Sequence, residues 1–179
     1  MNESQKVVKV VIMGMENAGK TTIIDVLTEK IKETPITPPN MIPTRDVART
    51  LLEQKNIVIW DFGGQELFRN TYISNPESYL RSISLVYYVV DVQDYYRHQS
   101  SIMYFIAVFK KILRYSPDAE LCFLFHKMDP NFDQKQKDLK VKFLETVEPF
   151  LQENLKNFAK YDTSIFNLNS IKNAFNRIV

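Results

Sequence analysis

The sequence has a single cysteine, Cys122, among 179 residues. No internal disulfide framework can exist, and a reducing compartment is the natural setting. It also lacks a charge excess: 23 Lys and Arg face 21 Asp and Glu, for a net charge of +2. A dedicated nucleic-acid binder concentrates far more positive charge, so no nucleic-acid partner is expected. No apolar run approaches the roughly 20 residues that span a bilayer. The longest, Val7–Gly14 and Leu85–Val90, have strand length. Met1-Asn2-Glu3-Ser4 lacks a signal peptide's basic head and apolar stretch, Asn2 is no myristoylation acceptor, and Arg177-Ile178-Val179 offers no cysteine to prenylate. The expectation is a cytoplasmic protein with no direct membrane anchor, whose recruitment to a membrane surface would depend on partners.

What is present is ordinary globular material, 45% hydrophobic and 25% charged, in a length that suits one domain with a substantial core. Strand and helix signals alternate. Apolar runs at Lys6–Met13, Val47–Glu53, Ile57–Asp61, Ile83–Val92 and Leu121–His126 read as strands, with Tyr161–Ile165 as a short last one and a turn near Lys55-Asn56. Helical spacing runs through Lys20–Lys32, Arg97–Tyr115 and Lys135–Phe158, where Pro149 is expected to kink or divide the helix. Asn169 or Ser170 is positioned to cap a last helix through Ile178. Pro35, Pro38, Pro39 and Pro43 force a loop between the first helix and the second strand. The pattern implies an α/β fold, a mostly parallel six-stranded sheet with helices on both faces, whose ligands bind at the carboxyl ends of the strands.

The motifs fall at those ends. Gly14-Met15-Glu16-Asn17-Ala18-Gly19-Lys20-Thr21 matches G-x-x-x-x-G-K-[ST] between a predicted strand and a predicted helix. Its backbone N–H groups make an anion nest, the helix start adds partial positive charge, Lys20 reaches β- and γ-phosphates, and the Thr21 hydroxyl can ligate Mg²⁺. In Trp60-Asp61-Phe62-Gly63-Gly64-Gln65-Glu66, Asp61 stands ready to hold the metal through water. Gly63 and Gly64 let a backbone N–H approach a γ-phosphate, and Gln65 can orient an attacking water. In His126-Lys127-Met128-Asp129, the Asp129 carboxylate can accept two hydrogen bonds from guanine's N1–H and exocyclic amine, a pair adenine cannot offer. The Lys127 stem can cover the base, and His126 reads as a satisfied strand-end histidine. Thr163-Ser164-Ile165 places backbone amides where they can touch the base oxygen.

These four segments, in this order, resemble the Ras superfamily of small GTPases from about Lys6 to Val179. Gly14 through Thr22, Pro43-Thr44 and Trp60 through Gln65 look like Arf-like GTPases. His126-Lys127-Met128-Asp129, Thr163-Ser164-Ile165-Phe166 and Ile171-Lys172-Asn173-Ala174-Phe175 are similar to Rag-type GTPases. The resemblance implies a P-loop NTPase G domain over residues 1–179 that binds GTP or GDP with Mg²⁺ and hydrolyses GTP slowly. Glu16, Asn17, Ala18, Gly19, Lys20, Thr21, Thr22, Gly64, His126, Lys127, Asp129, Ser164 and Ile165 would hold the nucleotide. Thr21, Thr44 and Asp61 would hold the metal, with Thr34 and Thr37 as spares for Thr44. Gln65, Lys20 and Thr44 would serve catalysis. Implied partners are an effector, an exchange factor, a GTPase-activating protein, and a homo- or hetero-dimer of GTPases. Two departures are visible. Arf proteins carry an amino-terminal amphipathic helix where this chain starts directly on its first strand, and they have Gly where this chain has Asp46, so their membrane switch and strand toggle are not expected. Rag proteins continue into a dimerising domain beyond the last helix of this chain.

The loop from Lys32 to Thr44 is expected to order only with γ-phosphate and metal bound. In the segment Phe62–Leu80, the apolar Phe62, Leu67, Phe68, Tyr72, Ile73 and Tyr79 either pack inward or form an effector surface. Glu16 would crowd the route of an external arginine. Arg45 and Arg69 read as solvated, and Lys135, Lys137, Lys140 and Lys142 as a solvated helix face. Tyr87, Tyr88, Tyr104 and Tyr115 read as core, and Cys122 as a buried thiol. Two other readings stay open: a scaffold subunit that holds nucleotide without cycling, and an ATP-using P-loop kinase.

Overall fold

A computed structural model describes residues 7–32, 43–52, 56–130 and 134–176, the last segment from backbone alone over 134–136. Thr34, Thr37, most of the Pro-rich loop, Lys55, the side chain of Lys135, and Arg177 and Ile178, over which the last helix was expected to run, therefore lie outside the described residues.

Six strands, β1 (Val8–Gly14), β2 (Val47–Leu52), β3 (Ile57–Phe62), β4 (Ile83–Asp91), β5 (Glu120–His126) and β6 (Ala159–Thr163), form one sheet in the order β2-β3-β1-β4-β5-β6. Only β2 pairs antiparallel, against β3; β3, β1, β4, β5 and β6 run parallel. The order reverses at β1, so the carboxyl ends of β1, β3, β4, β5 and β6 open on one crevice.

Side chains alternate across the pleat and set the two layers. Val10, Ile12, Tyr87, Val89, Cys122 and Leu124 face α1 (Lys20–Leu27) and α6 (Leu168–Ala174) through Ile23, Ile24, Val26, Ile171 and Phe175. Val11, Met13, Val86, Tyr88, Phe123 and Phe125 face α4 (His98–Tyr115) and α5 (Gln134–Asn154) through Phe105, Phe109, Phe143 and Val147. The helices α2 (Glu66–Ser74) and α3 (Pro76–Tyr79) close that side with Tyr72, whose ring meets Phe62 edge-on at 4.5 Å.

Four details differ from the sequence expectation. First, α1 stops at Leu27 rather than Lys32, because Glu29 turns to φ 57° and the Glu29 and Ile31 amides donate back to the carbonyls of Val26 and Asp25. Second, Pro149 does not divide α5: the helix continues to Asn154. The bond it deletes would have ended on Glu145, on the exposed face of the helix, where the freed carbonyl is open to solvent. Third, α6 is capped by Asn167, whose Oδ1 accepts from the Ser170 N–H at 3.3 Å, not by Asn169 or Ser170. Fourth, β6 ends at Thr163, leaving Ser164 and Ile165 in the following turn.

The tyrosines Tyr87, Tyr88 and Tyr104 are buried and Tyr115 is partly so, as expected of core, and Cys122 is a buried free thiol. In the Phe62–Leu80 segment the apolar groups pack inward except Leu67, which is 73% exposed. Among the basic residues of α5, Lys137 and Lys142 are exposed, whereas Lys140 pairs with Asp162 at 2.5 Å. Asp46 adopts φ 54° and its carbonyl accepts from the Tyr72 hydroxyl at 2.6 Å and the Gly63 N–H at 2.8 Å. The backbone there is therefore one that glycine would take freely. No helix among the described residues is long and apolar enough to cross a membrane.

Candidate functional site

The crevice is floored by the turn from β1 to α1. Asn17 at φ 59° and Gly19 at φ 91° wrap the chain around a point at the start of α1. A Cβ on Gly19 would lie 2.5 Å from Cδ2 of His126, so the glycine is required by contact as well as by conformation. Glu16 and Asn17 face solvent, Ala18 is buried, and Thr22 sits half-buried in the first turn of α1. Lys20 is 6% exposed, and its ammonium donates to the carbonyls of Met15 at 2.7 Å and Gly14 at 3.2 Å. Burial lowers its pKa to about 8, and the nearby Asp61 opposes that shift. A cation so poorly compensated is poised for an anion.

Beside it three oxygens converge. The Thr21 hydroxyl donates to Oδ2 of Asp61 at 2.7 Å, the Thr44 hydroxyl donates to the same oxygen at 3.1 Å, and the two hydroxyls are 3.0 Å apart. The other carboxylate oxygen, Asp61 Oδ1, is buried without a hydrogen-bond partner among the described residues, and burial raises the pKa of Asp61. A buried orphan acceptor beside two hydroxyls is the donor set of a hard, oxygen-seeking cation, and Mg²⁺ fits it.

The loop after β3 leans onto the β1–α1 turn. A Cβ on Gly64 would fall 2.3 Å from the backbone N of Glu16, so only glycine permits this approach. Gln65 follows at the start of α2, half-buried, with extended backbone (φ −66°, ψ 148°). Arg69 is not solvated as the sequence suggested. Its Nε donates to the carbonyl of Gly64 at 2.9 Å and its guanidinium lies 5.0 Å from the Tyr104 ring centre, which fixes this loop to α4. Arg45 is exposed.

At the far end Asp129 is held from both sides. Its Oδ1 accepts from the Ser164 hydroxyl at 2.7 Å and its Oδ2 from Nε2 of Gln93 at 2.7 Å, while the same Nε2 donates to the carbonyl of Lys127 at 2.8 Å. Lys127 takes φ 67°, and its ammonium donates to Oδ2 of Asp91 at 2.6 Å. The Ser164 amide, expected to face a base, instead donates to the Ser170 hydroxyl at 3.0 Å. Ile165 lies half-buried beside it. His126 is buried against Gly19 and shares a 2.9 Å hydrogen bond with the Thr163 hydroxyl. Burial and the neighbouring Lys127 lower its pKa to about 4, so the ring is neutral.

The structure thus gathers Lys20, Thr21, Thr44, Asp61 and Gly64 at one end and His126, Lys127, Asp129 and Ser164 at the other. Sequence reading missed Asp91, Gln93, Asp94 and Arg97, all in the β4–α4 connection. No motif marks them, and nothing local in the sequence ties them to the pocket.

A family model described as "Gtr1/RagA G protein conserved region" matches residues 9–179. The chain is 24% identical over 182 residues to the GTP-binding protein GTR1 of Saccharomyces cerevisiae, covering 96% of this chain and 56% of that protein. It is 28% identical over 127 residues to Ras-related GTP-binding protein A of Dictyostelium discoideum, with 68% and 40% covered. Over 96 residues it is 33% identical to ADP-ribosylation factor-like protein 8d of Arabidopsis thaliana, with 52% and 49% covered. The chain therefore spans about half the length of these relatives. The structure of the Arl6 BBS3 small GTPase from Trypanosoma brucei, solved with a bound GppNp analogue, superposes with a TM-score of 0.69 over 96% of this chain and 94% of that one, at 24% identity, and shares the fold. By sequence, the chain belongs to the Gtr1/RagA G proteins, of the Rag and Arf-like kind among the Ras-superfamily small GTPases.

Proposed function

We propose that this protein is a G domain that binds GTP and GDP with Mg²⁺, hydrolyses GTP to GDP and phosphate, and changes its contacts with partners as it does so. The observation that carries the reading is the meeting of the Lys20 ammonium with the Thr21, Thr44 and Asp61 oxygens, one of them a buried orphan, at the amino terminus of α1. Lys20 and the turn's N–H groups grip the phosphates, and Asp129 reads the purine. Thr21, Thr44 and Asp61 would hold Mg²⁺, which when bound would neutralise phosphate charge. Gln65 holds the attacking water in line with the γ-phosphorus, the water oxygen bonds to phosphorus as one of its protons passes to an oxygen of the phosphoryl group, and the bond to the bridging oxygen breaks, with its electron pair left on GDP. Among the described residues near the phosphate end, Arg69 is committed to Gly64 and Tyr104, and Arg97 to Glu16 and Asp94. Turnover is therefore slow until a partner supplies an arginine, an effect typically worth about 10³–10⁵ in rate. Regulators, an effector and a second GTPase subunit are the partner classes this reading implies, with any membrane recruitment depending on them.

The test is nucleotide selectivity together with turnover. GTP is expected to outcompete ATP at equal concentration, and Asp129→Asn to shift preference toward xanthine nucleotide. Gln65→Leu is expected to slow single-turnover phosphate release. Equal binding of ATP and GTP would instead support the kinase reading, and release rates equal to those of Gln65→Leu would favour a scaffold that does not cycle.

A further inference from the structure

The β4–α4 connection touches both ends of the pocket. At the base end Asp91 holds Lys127 and Gln93 holds Asp129. At the phosphate end Arg97, at the start of α4, reaches across 81 positions to Glu16, with Nη1 donating to Oε1 at 3.1 Å. Asp94 grips Nε of the same guanidinium, and its Oδ1 accepts the Arg97 backbone N–H at 3.0 Å. Arg97 is one-third exposed and Asp94 largely buried, so the fork is anchored at its base and offers its tip to Glu16.

Glu16 is an awkward residue where it stands. Its backbone N abuts Gly64, at the junction of the two loops that flank a third phosphate. A free carboxylate there repels a polyanion. We propose that Arg97 is a positioning residue that holds the Glu16 carboxylate off the phosphate site and cancels its charge, and so sets the preference of this domain for a nucleoside triphosphate over a diphosphate. The proposal rests on the guanine-nucleotide reading above. The third phosphate adds charge closest to Glu16, so the penalty for an unpaired carboxylate falls mainly on the triphosphate. A planar fork is needed because one cation must meet Asp94 and Glu16 at once, which the point charge of a lysine does poorly.

The experiment uses the nucleotide-free full chain titrated with fluorescent mant-GDP and a mant-labelled non-hydrolysable GTP analogue. Arg97→Ala is expected to weaken the triphosphate roughly tenfold and the diphosphate by no more than about twofold. Arg97→Gln gives the same selectivity if Arg97→Ala does not fold. Arg97→Lys recovers only part of it. In a Glu16→Ala background, Arg97→Ala changes triphosphate affinity by less than about twofold, since no carboxylate is left to restrain. An equal loss for both nucleotides, or a loss that persists without Glu16, overturns the proposal. So does intact binding with single-turnover hydrolysis abolished, which would make Arg97 a group acting on the transferring phosphate. Wild-type protein that binds neither nucleotide overturns the reading of the site, and this proposal with it.

Discussion

The hydroxyls of Thr21 and Thr44, 23 positions apart in the chain, stand 3.0 Å from each other and share one oxygen of Asp61. One comes from the first turn of α1 and the other from the residues just before β2, so the contact sets the approach to β2 against the phosphate turn. Asp61 pays for this arrangement: it is a carboxylate pushed toward its neutral form by burial.

Asp61→Asn is therefore expected to have opposite effects in two assays. Without metal, thermal melting should show no loss of stability or a gain, because an ill-compensated buried charge is removed. With nucleotide, the Mg²⁺ concentration needed for half-maximal retention should rise roughly 10–100-fold, the usual effect of altering a group that holds or orients metal ligands. A loss of melting temperature with unchanged Mg²⁺ dependence would show Asp61 to be structural only.

The lowered pKa of Lys20 links binding to pH. A bound phosphate favours the ammonium, so the pKa rises on binding and a proton is taken up when pH exceeds about 8. Nucleotide affinity should be flat below pH 8 and fall above it by up to roughly tenfold per unit until the pKa of the complex is reached. The nucleotide-free fold has the reverse slope. It gains stability as pH climbs from about 8 toward the ordinary 10.5, since the unfolded chain keeps the proton longer. Titrations from pH 7 to 9.5, with Lys20→Met as the control that lacks the slope, check both signs.

His126 is neutral in the fold, with a pKa near 4 against an ordinary 6.5. Its contribution to stability is complete above pH 6.5 and is lost as pH falls through the window down to about 4, a total of about 3 kcal/mol. Urea unfolding at pH 7, 6 and 5 should show this slope, and His126→Asn should flatten it.

Gln93 should prove a determinant of base recognition that no motif announces. It and Ser164 fix the two oxygens of Asp129. Gln93→Ala should weaken GDP roughly fivefold by leaving the carboxylate free to rotate, with the Mg²⁺ dependence unchanged. Equal effects on GDP and on its xanthine counterpart in an Asp129→Asn background would place Gln93 outside base recognition.

The alternation of apolar runs and helical spacing, with glycines and prolines as punctuation, was enough to order the elements around a parallel sheet, because each signal is local. The phosphate turn was legible for the same reason: strand, glycine, lysine and helix start are contiguous in the chain. What the sequence could not display is any pairing whose members lie far apart and carry no motif. Arg69, read as solvated, packs on Tyr104 and Gly64. Asp91, Gln93, Asp94 and Arg97 look like an ordinary polar turn until the sheet sets β4 beside both β1 and β5 and brings them against Glu16, Lys127 and Asp129. The stretch Glu29–Lys32 and the cap of α6 were decided by a positive φ at Glu29 and by the Asn167 side chain, where neighbouring residues offered equal local propensity. Local chemistry chose the elements and the phosphate grip; the packing of strands that are distant in sequence decided which charges meet around it.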